Sequence, residues 1–330
     1  MRYIISFLLT SAAALPALAE VPEVVADTPP VHSLAAAVMG DLGTPVLLLD
    51  RGASPHGFQL RPSQMESVVG ADLVLWVGPQ LSPWLEKALA ARPEGAEALA
   101  LLEAPGTYRQ DFAAQDGHDH DHAEGEAHDH DDHDHDHDHE AEHDHAHDDH
   151  DHAEGHDHVH TGLDPHAWLD PENGKLWTQV IAAELSRLDP ENAAAYAANA
   201  AAAVAAIEAA DAEAAALLAP VKDRPFIAFH DAYGYFTAHY GLTVAGTVSA
   251  GDAAAPGARH LAELQEEAGA AACLFPEAQH DPALLTRLAE ATGAKVGGAL
   301  DPEGSTFEPG PALYPEMIVT LARTIAACNP

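Results

Sequence analysis

Residues 116–160 hold almost nothing but His, Asp, Glu, Ala and Gly. No Lys or Arg occurs between Arg109 and Lys175, and the run has almost no apolar side chain larger than Ala. A segment of this kind cannot offset its own ordering entropy, so it is expected to stay unfolded and to interrupt the fold built by the chain on either side. Its dense imidazole and carboxylate array is also the donor set of borderline divalent cations such as zinc. A metal is therefore the first functional expectation. The question is whether this run is the site or an accessory to one.

The 330 residues suffice for two domains with full cores. The formal net charge is −39, from 53 acids against 14 bases, and about half of the excess sits in the His/Asp run. That balance argues against nucleic acid, since phosphate binding needs a basic face. A negative field attracts divalent cations and keeps a protein soluble. Residues 1–19 read as an export signal: Arg2 supplies the positive start, 4–15 is apolar, and Ala17-Leu18-Ala19 is a small-x-small cleavage site. The apolar run is too short for a membrane span and no later segment is long enough. The mature chain is expected to begin near Glu20, exported and soluble, and no Cys at the cleavage point signals lipid attachment.

Two cysteines remain, Cys273 and Cys328. In an oxidising compartment a pair suggests one disulfide. It would pin the last helix to its domain by closing a loop of 55 positions, roughly 4 kcal/mol in the chain-entropy account. Two buried thiols are the alternative, whereas a metal–thiolate site needs more sulfurs close together.

Around the run, short apolar stretches alternate with helical patterns. Strands are expected at 21–26, 45–49 (PVLLL) and 73–77, with helices opening at Pro29-Pro30 and at Ser82, the latter residue acting as N-cap. After the run come helices at 171–188 and 191–218, the second dominated by Ala with no Gly or Pro inside it. Strands at 226–229, 242–248, 273–275 and 295–299 then alternate with helices at 232–240, 256–268, 282–292 and 314–328. Strands apolar throughout that alternate with helices imply parallel sheets covered on both faces. The expected fold is α/β: two Rossmann-like lobes, 20–189 and 221–330, joined by one long rigid helix at 190–220. The insertion 116–160 falls in the first lobe.

Seven histidines lie outside the run: His32, His56, His166, His230, His239, His260 and His280. Ligands in open α/β sheets bind beyond the carboxyl ends of the strands. His56 follows the PVLLL strand, His166 stands where the lobe resumes, and His230 ends the strand at 226–229. Asp301, just after 295–299, falls at an equivalent edge. Three imidazoles and one carboxylate suit tetrahedral zinc. From spacing alone, scattered structural histidines remain the alternative.

The segments Gly52-Ala53-Ser54-Pro55-His56 with Leu60-Arg61-Pro62-Ser63, Asp164-Pro165-His166-Ala167-Trp168-Leu169-Asp170-Pro171, and Phe229-His230-Asp231-Ala232-Tyr233-Gly234-Tyr235-Phe236 resemble those of the zinc-binding solute-binding proteins of bacterial ABC importers, in the cluster A-I metal-binding family. The likeness spans essentially the whole mature chain, including Gly298-Ala299-Leu300-Asp301-Pro302, both cysteines and a His/Asp-rich insertion. The resemblance implies two α/β lobes on a rigid helix, a monomer in the periplasm, zinc in the cleft, and an inner-membrane ABC permease as partner, with a periplasmic zinc chaperone as a further one. His56, His166 and His230 match the family's three histidine ligands. Pro55 before His56 excludes a Glu there, which leaves Asp301 or water as fourth ligand, with Asp301 favoured. A third imidazole favours zinc over manganese, which prefers oxygen.

His32, His239, His260 and His280 match no ligand position and read as structural. Trp168, Tyr233, Tyr235 and Phe236 read as the wall of the cleft. Asp164 and Asp231 are candidates to orient imidazoles, with capping the alternative for Asp231. The functional expectation is high-affinity capture and delivery of zinc, without bond chemistry. A zinc hydrolase built on three His is a second reading, weakened by the lack of an HExxH helix or a clear general base. A metal buffer acting through the His/Asp run is a third. In the first reading the run is a low-affinity accessory that gathers zinc.

Overall fold

A computed structural model describes residues 21–112, 162–249, 257–271 and 273–328. The expected export signal and the expected unfolded run lie outside the described residues. The first lobe runs β1 (Val24–Ala26), α1 (Pro29–Met39), β2 (Val46–Leu47), α2 (Pro62–Gly70), β3 (Leu73–Trp76), α3 (Pro83–Leu89) and β4 (Glu97–Ala100). Its strands pair in parallel in the order β2-β1-β3-β4. Next come α4 (Pro171–Leu188) and the long α5 (Ala193–Leu218). The second lobe runs β5 (Phe226–His230), α6 (Gly234–Tyr240), β6 (Val244–Ser249), α7 (Ala258–Ala270), β7 (Cys273–Leu274), α8 (Ala283–Thr292), β8 (Lys295–Val296) and α9 (Leu313–Cys328). Its order, β6-β5-β7-β8, repeats that of the first lobe and is again parallel.

Both faces of each central strand are buried, which is why these strands read as continuous apolar runs. Val24 and Ala26 face one core, while Val25 between them faces another with Leu48, Val74 and Leu85. In β5, Phe226 and Ala228 join the first core, and Ile227 joins Val248, Leu264 and Leu274. The shared core includes Val24, Leu73, Trp168, Ile207, Phe226, Tyr314 and Leu321, so it draws on both lobes and on the helix between them.

The helix α5 explains that continuity. Its 26 residues rise about 39 Å at 1.5 Å per residue. Tyr196, Ala200, Ile207, Ala210, Ala214 and Leu218 recur at helical spacing and form its buried stripe. It packs on α1 and α4 of the first lobe and on α9 of the second, so the expected strut lies along the core rather than standing free. The helices α4 and α9 also approach closely. A Cβ at Gly174 would lie 2.1 Å from Tyr314 Oη, whose hydrogen bond to Trp168 O (2.7 Å) ties the last helix to the first lobe.

Several local expectations are corrected. PVLLL is a two-residue strand at the sheet edge: Pro45 is buried, but Val46 is 47% exposed and Leu47 only partly covered, and burial resumes at Leu48 and Leu49. The strand at 295–299 shrinks to the exposed edge pair Lys295–Val296. Edge strands have one neighbour, so fewer residues meet the pairing geometry. β4, poor in β-branched residues, was not foreseen. Ser82 stands at the N-cap of α3 but does not cap it, because its hydroxyl donates to Asp27 Oδ2 (2.9 Å). Cys273 and Cys328 are joined in a disulfide that ties β7 to α9.

Candidate metal centre

His56 sits in a 3-10 turn, Pro55–Gly57, entered from a loop in which Gly52 adopts φ +76°. Trp84 Nε1 donates to Pro55 O (2.7 Å) and Ser54 Oγ accepts from His56 N (3.3 Å), so local contacts hold the turn. Gly52 N also donates to Ser305 O (3.2 Å), which ties the loop to the second lobe.

His166 is fully buried just before the turn Ala167–Leu169, which leads into α4. The helix starts there because Asp170 caps it through Glu172 N (2.9 Å), with Pro171 in its first turn. Asp164 Oδ1 accepts from His166 N (2.9 Å) and lies 2.8 Å from His166 Nδ1. Tyr235 Oη donates to Asp164 O (2.9 Å), so the second lobe braces this segment. A neutral imidazole that donates Nδ1–H to a carboxylate carries its lone pair on Nε2, the atom that binds a metal.

His230 is the last residue of β5 and is 1% exposed. Its Nδ1 lies 2.5 Å from Glu277 Oε2, and Tyr233 Oη donates to Glu277 Oε1 (2.8 Å). Burial, and then the Glu277 carboxylate, push the Tyr233 phenol well above its ordinary value, so it stays a donor. This arrangement too directs His230 Nε2 toward the cleft.

The three rings form a triangle, with centroids 5.2 Å apart for His56–His166, 5.4 Å for His166–His230 and 5.9 Å for His56–His230. One ligand atom from each lies within 4.8 Å of the others. Two nitrogens bound to a tetrahedral ion at 2.0–2.1 Å are roughly 3.3 Å apart. His56 Nε2 and His166 Nε2 are separated by 3.2 Å, so the pair is set almost at ligand spacing before any ion arrives.

Asp301 stands outside this set of mutually close atoms. Its Oδ1 accepts from Gln279 Nε2 (2.7 Å) and Ser305 N (3.0 Å), and its Oδ2 from Thr306 N (2.8 Å) and Thr306 Oγ1 (2.6 Å). Three histidines read as structural have ordinary partners. His32 Nε2 meets Pro45 O (3.0 Å), and burial lowers the pKa of the ring. His260 Nε2 meets Thr247 O (2.8 Å). His239 bridges Asp170 (3.1 Å) and Asp211 (2.9 Å), with Asp170 the leading cause of a pKa raised to about 9.

His280, the fourth histidine read as structural, stands beside His230, with ring centroids 5.8 Å apart. Glu277 was not foreseen as the group that orients His230. Burial first and neighbouring Asp164 second raise the pKa of Asp231, the other candidate beside His230, to about 6. A signal for Glu277 was present: it follows β7, the strand beside β5, and therefore opens at the same carboxyl edge as His230. Of the expected wall residues, Trp168 packs 5.3 Å from His166, while Tyr233 and Tyr235 add polar contacts.

The sequence model of the family described as ZnuA, zinc-uptake complex component A periplasmic, matches residues 24–328. The high-affinity zinc uptake system protein ZnuA of Paracoccus denitrificans (strain Pd 1222) is 51% identical over 318 residues, covering 96% of this chain and 94% of that protein. The protein of the same name from Brucella abortus (strain 2308) is 41% identical, covering 93% of this chain and 91% of its own length. In fold, the chain is similar to a crystal structure of ZnuA, with TM-score 0.70 at 24% identity, covering 94% of this chain and 99% of that one. It is also similar to the laminin-binding adhesin Lmb of Streptococcus agalactiae, with TM-score 0.72 at 20% identity, covering 94% of this chain and all of that one. A match from the first strand to the last helix, with a relative half identical across nearly the full length of both chains, makes this chain a member of the ZnuA family of periplasmic zinc-uptake components.

Proposed function

We propose that the chain captures zinc in the cleft between its lobes through His56, His166 and His230 and hands it to the permease of an ABC importer in the periplasm. Family membership supports zinc uptake by a binding component rather than an enzyme. The observation that carries the ligand assignment is the convergence of three imidazoles from separate segments, two of them held by buried carboxylates. Three neutral nitrogens suit zinc better than an oxygen-preferring cation. The export signal at 1–19 and the division into 20–189, 190–220 and 221–330 belong to the same proposal.

The fourth position falls to Asp301 or to water. Asp301 lies outside the close set and both its oxygens already accept from Gln279, Ser305 and Thr306, whereas water carries no such ties. Because the ligands bind as neutral imidazoles, affinity falls as pH drops through about 6.5. The lobes share a core, so release is expected to proceed through the ligand loops rather than by wide lobe opening. Competition calorimetry tests the reading. One tightly held zinc per chain should survive deletion of 116–160 and be lost on His230→Ala. A chain that loses its tight zinc with the run, or keeps it without His230, refutes the assignment.

A further inference from the structure

A second set of donors meets on the other side of His230. One ligand atom each from His230, Glu277 and His280 lies within 4.8 Å of the others. Glu277 Oε2 is 3.6 Å from His280 Nε2. That gap is too long for a hydrogen bond. It is close to the roughly 3.3–3.5 Å between two ligand atoms that share a tetrahedral ion at 2.0–2.2 Å. Phe229 stacks on the His280 ring (4.3 Å, 11° between planes) and holds it in place. The His280 side chain is 13% exposed while that of Glu277 is fully buried, so the set has a solvent edge and a buried carboxyl group behind it.

We propose that His230, Glu277 and His280 form a second, weaker site for a zinc-like divalent cation, exclusive of the His56–His166–His230 site, and that an ion steps between the two with His230 as the shared ligand. The chemistry of His230 makes the sites exclusive. An ion in the first site is bound by Nε2, and the Nδ1 proton is shared with Glu277. An ion in the second site is bound by Nδ1 in place of the shared proton, with a proton on Nε2, and the 2.5 Å Nδ1–Oε2 contact must open to ligand spacing to admit it. The step therefore releases the Nδ1 proton to solvent water and takes one proton from water at Nε2, so the ring stays neutral and no net proton is consumed. Glu277 changes from hydrogen-bond acceptor to metal ligand in the same step. Two imidazoles and a carboxylate are a zinc donor set in their own right. This inference rests on the capture reading above for its use, as a way station between solvent and the first site.

Zinc-edge anomalous diffraction from zinc-loaded crystals of the full chain tests the site. The wild type should show its ion among His56, His166 and His230. His56→Ala and His166→Gln should each show it between His230, Glu277 and His280, and adding His280→Phe to either should abolish it. An ion absent from the first site in the wild type overturns the capture reading. An ion there in the wild type, with nothing at Glu277 and His280 in whichever of the two variants folds, overturns the second site alone. Stopped-flow transfer of zinc to excess chelator tests the step. His280→Phe should leave the equilibrium affinity unchanged and slow release by about tenfold. An unchanged release rate refutes the way station.

Discussion

The two lobes have the same strand order, yet they use the corresponding crevice in opposite ways. In each sheet the order reverses between the first and third strands, and the crevice beyond their carboxyl ends is where ligands bind in folds of this kind. In the first lobe Asp27 fills it. Asp27 follows β1 and accepts from Val77 N (3.0 Å), Ser82 Oγ (2.9 Å) and Thr28 Oγ1 (3.1 Å). In the second lobe His230 ends β5 and Glu277 follows β7, and their pair points an imidazole into the cleft. One crevice is closed by a carboxylate that satisfies its own lobe. The other uses a carboxylate to orient an imidazole. Shared topology thus places a site, and which polar groups occupy it decides whether the site binds anything.

If that contrast holds, substitutions in the two crevices separate binding from stability. The largest effect on binding is expected from His230→Ala. A zinc site is worth about 10–16 kcal/mol, so one ligand in four is about 2.5–4 kcal/mol, or roughly 60- to 700-fold in Kd. Competition titration should show that loss with little change in melting temperature. Next, Cys273→Ser with Cys328→Ser removes a staple that only the second lobe has and should lower stability by about 2–4 kcal/mol in denaturant unfolding. Because Cys273 leads into the segment that carries Glu277, a weakened zinc affinity in the same variant would link the staple to the site.

The reciprocal experiment is Asp27→Ala, which strands buried donors at Val77 and Ser82. It should lower stability by about 2–3 kcal/mol and leave zinc affinity intact. A loss of affinity there would break the comparison. Glu277→Gln should weaken zinc binding by about 10–100-fold, the usual effect of removing an orienting partner.

The smallest effect is a pH slope. Burial raises Asp27 from 3.8 to about 6, with its hydrogen bonds opposing the rise. The folded chain then binds more protons than the unfolded chain between those values, so the contribution of Asp27 to stability declines as pH rises from about 3.8 to about 6. Asp27→Asn should remove that component from melting curves taken across the window, and an unchanged slope would show that the group does not titrate there.

The sequence by itself determined the alternation of strands and helices, because residues buried on both faces leave continuous apolar runs and amphipathic helices leave a periodic stripe. Through the likeness of its local segments to a known family, it also singled out the three histidines that the structure brings together. Each stands beside a strand end or helix start in a recognisable local segment, and such signals are carried by adjacent residues. Edge strands were legible only in part, since their pairing depends on one neighbour and their side chains meet water.

The tertiary structure decided the rest. Ser82 looked like a cap because capping is local, but its hydroxyl turned to Asp27, 55 positions earlier. Glu277 lies 47 positions beyond His230, and His280 came to its side through the pairing of β5 with β7. Asp301 stood at the expected edge, yet its own loop already surrounds both oxygens with donors. Orientation of a buried side chain is set by partners distant in sequence, whose approach follows from packing two sheets and a long helix around one core.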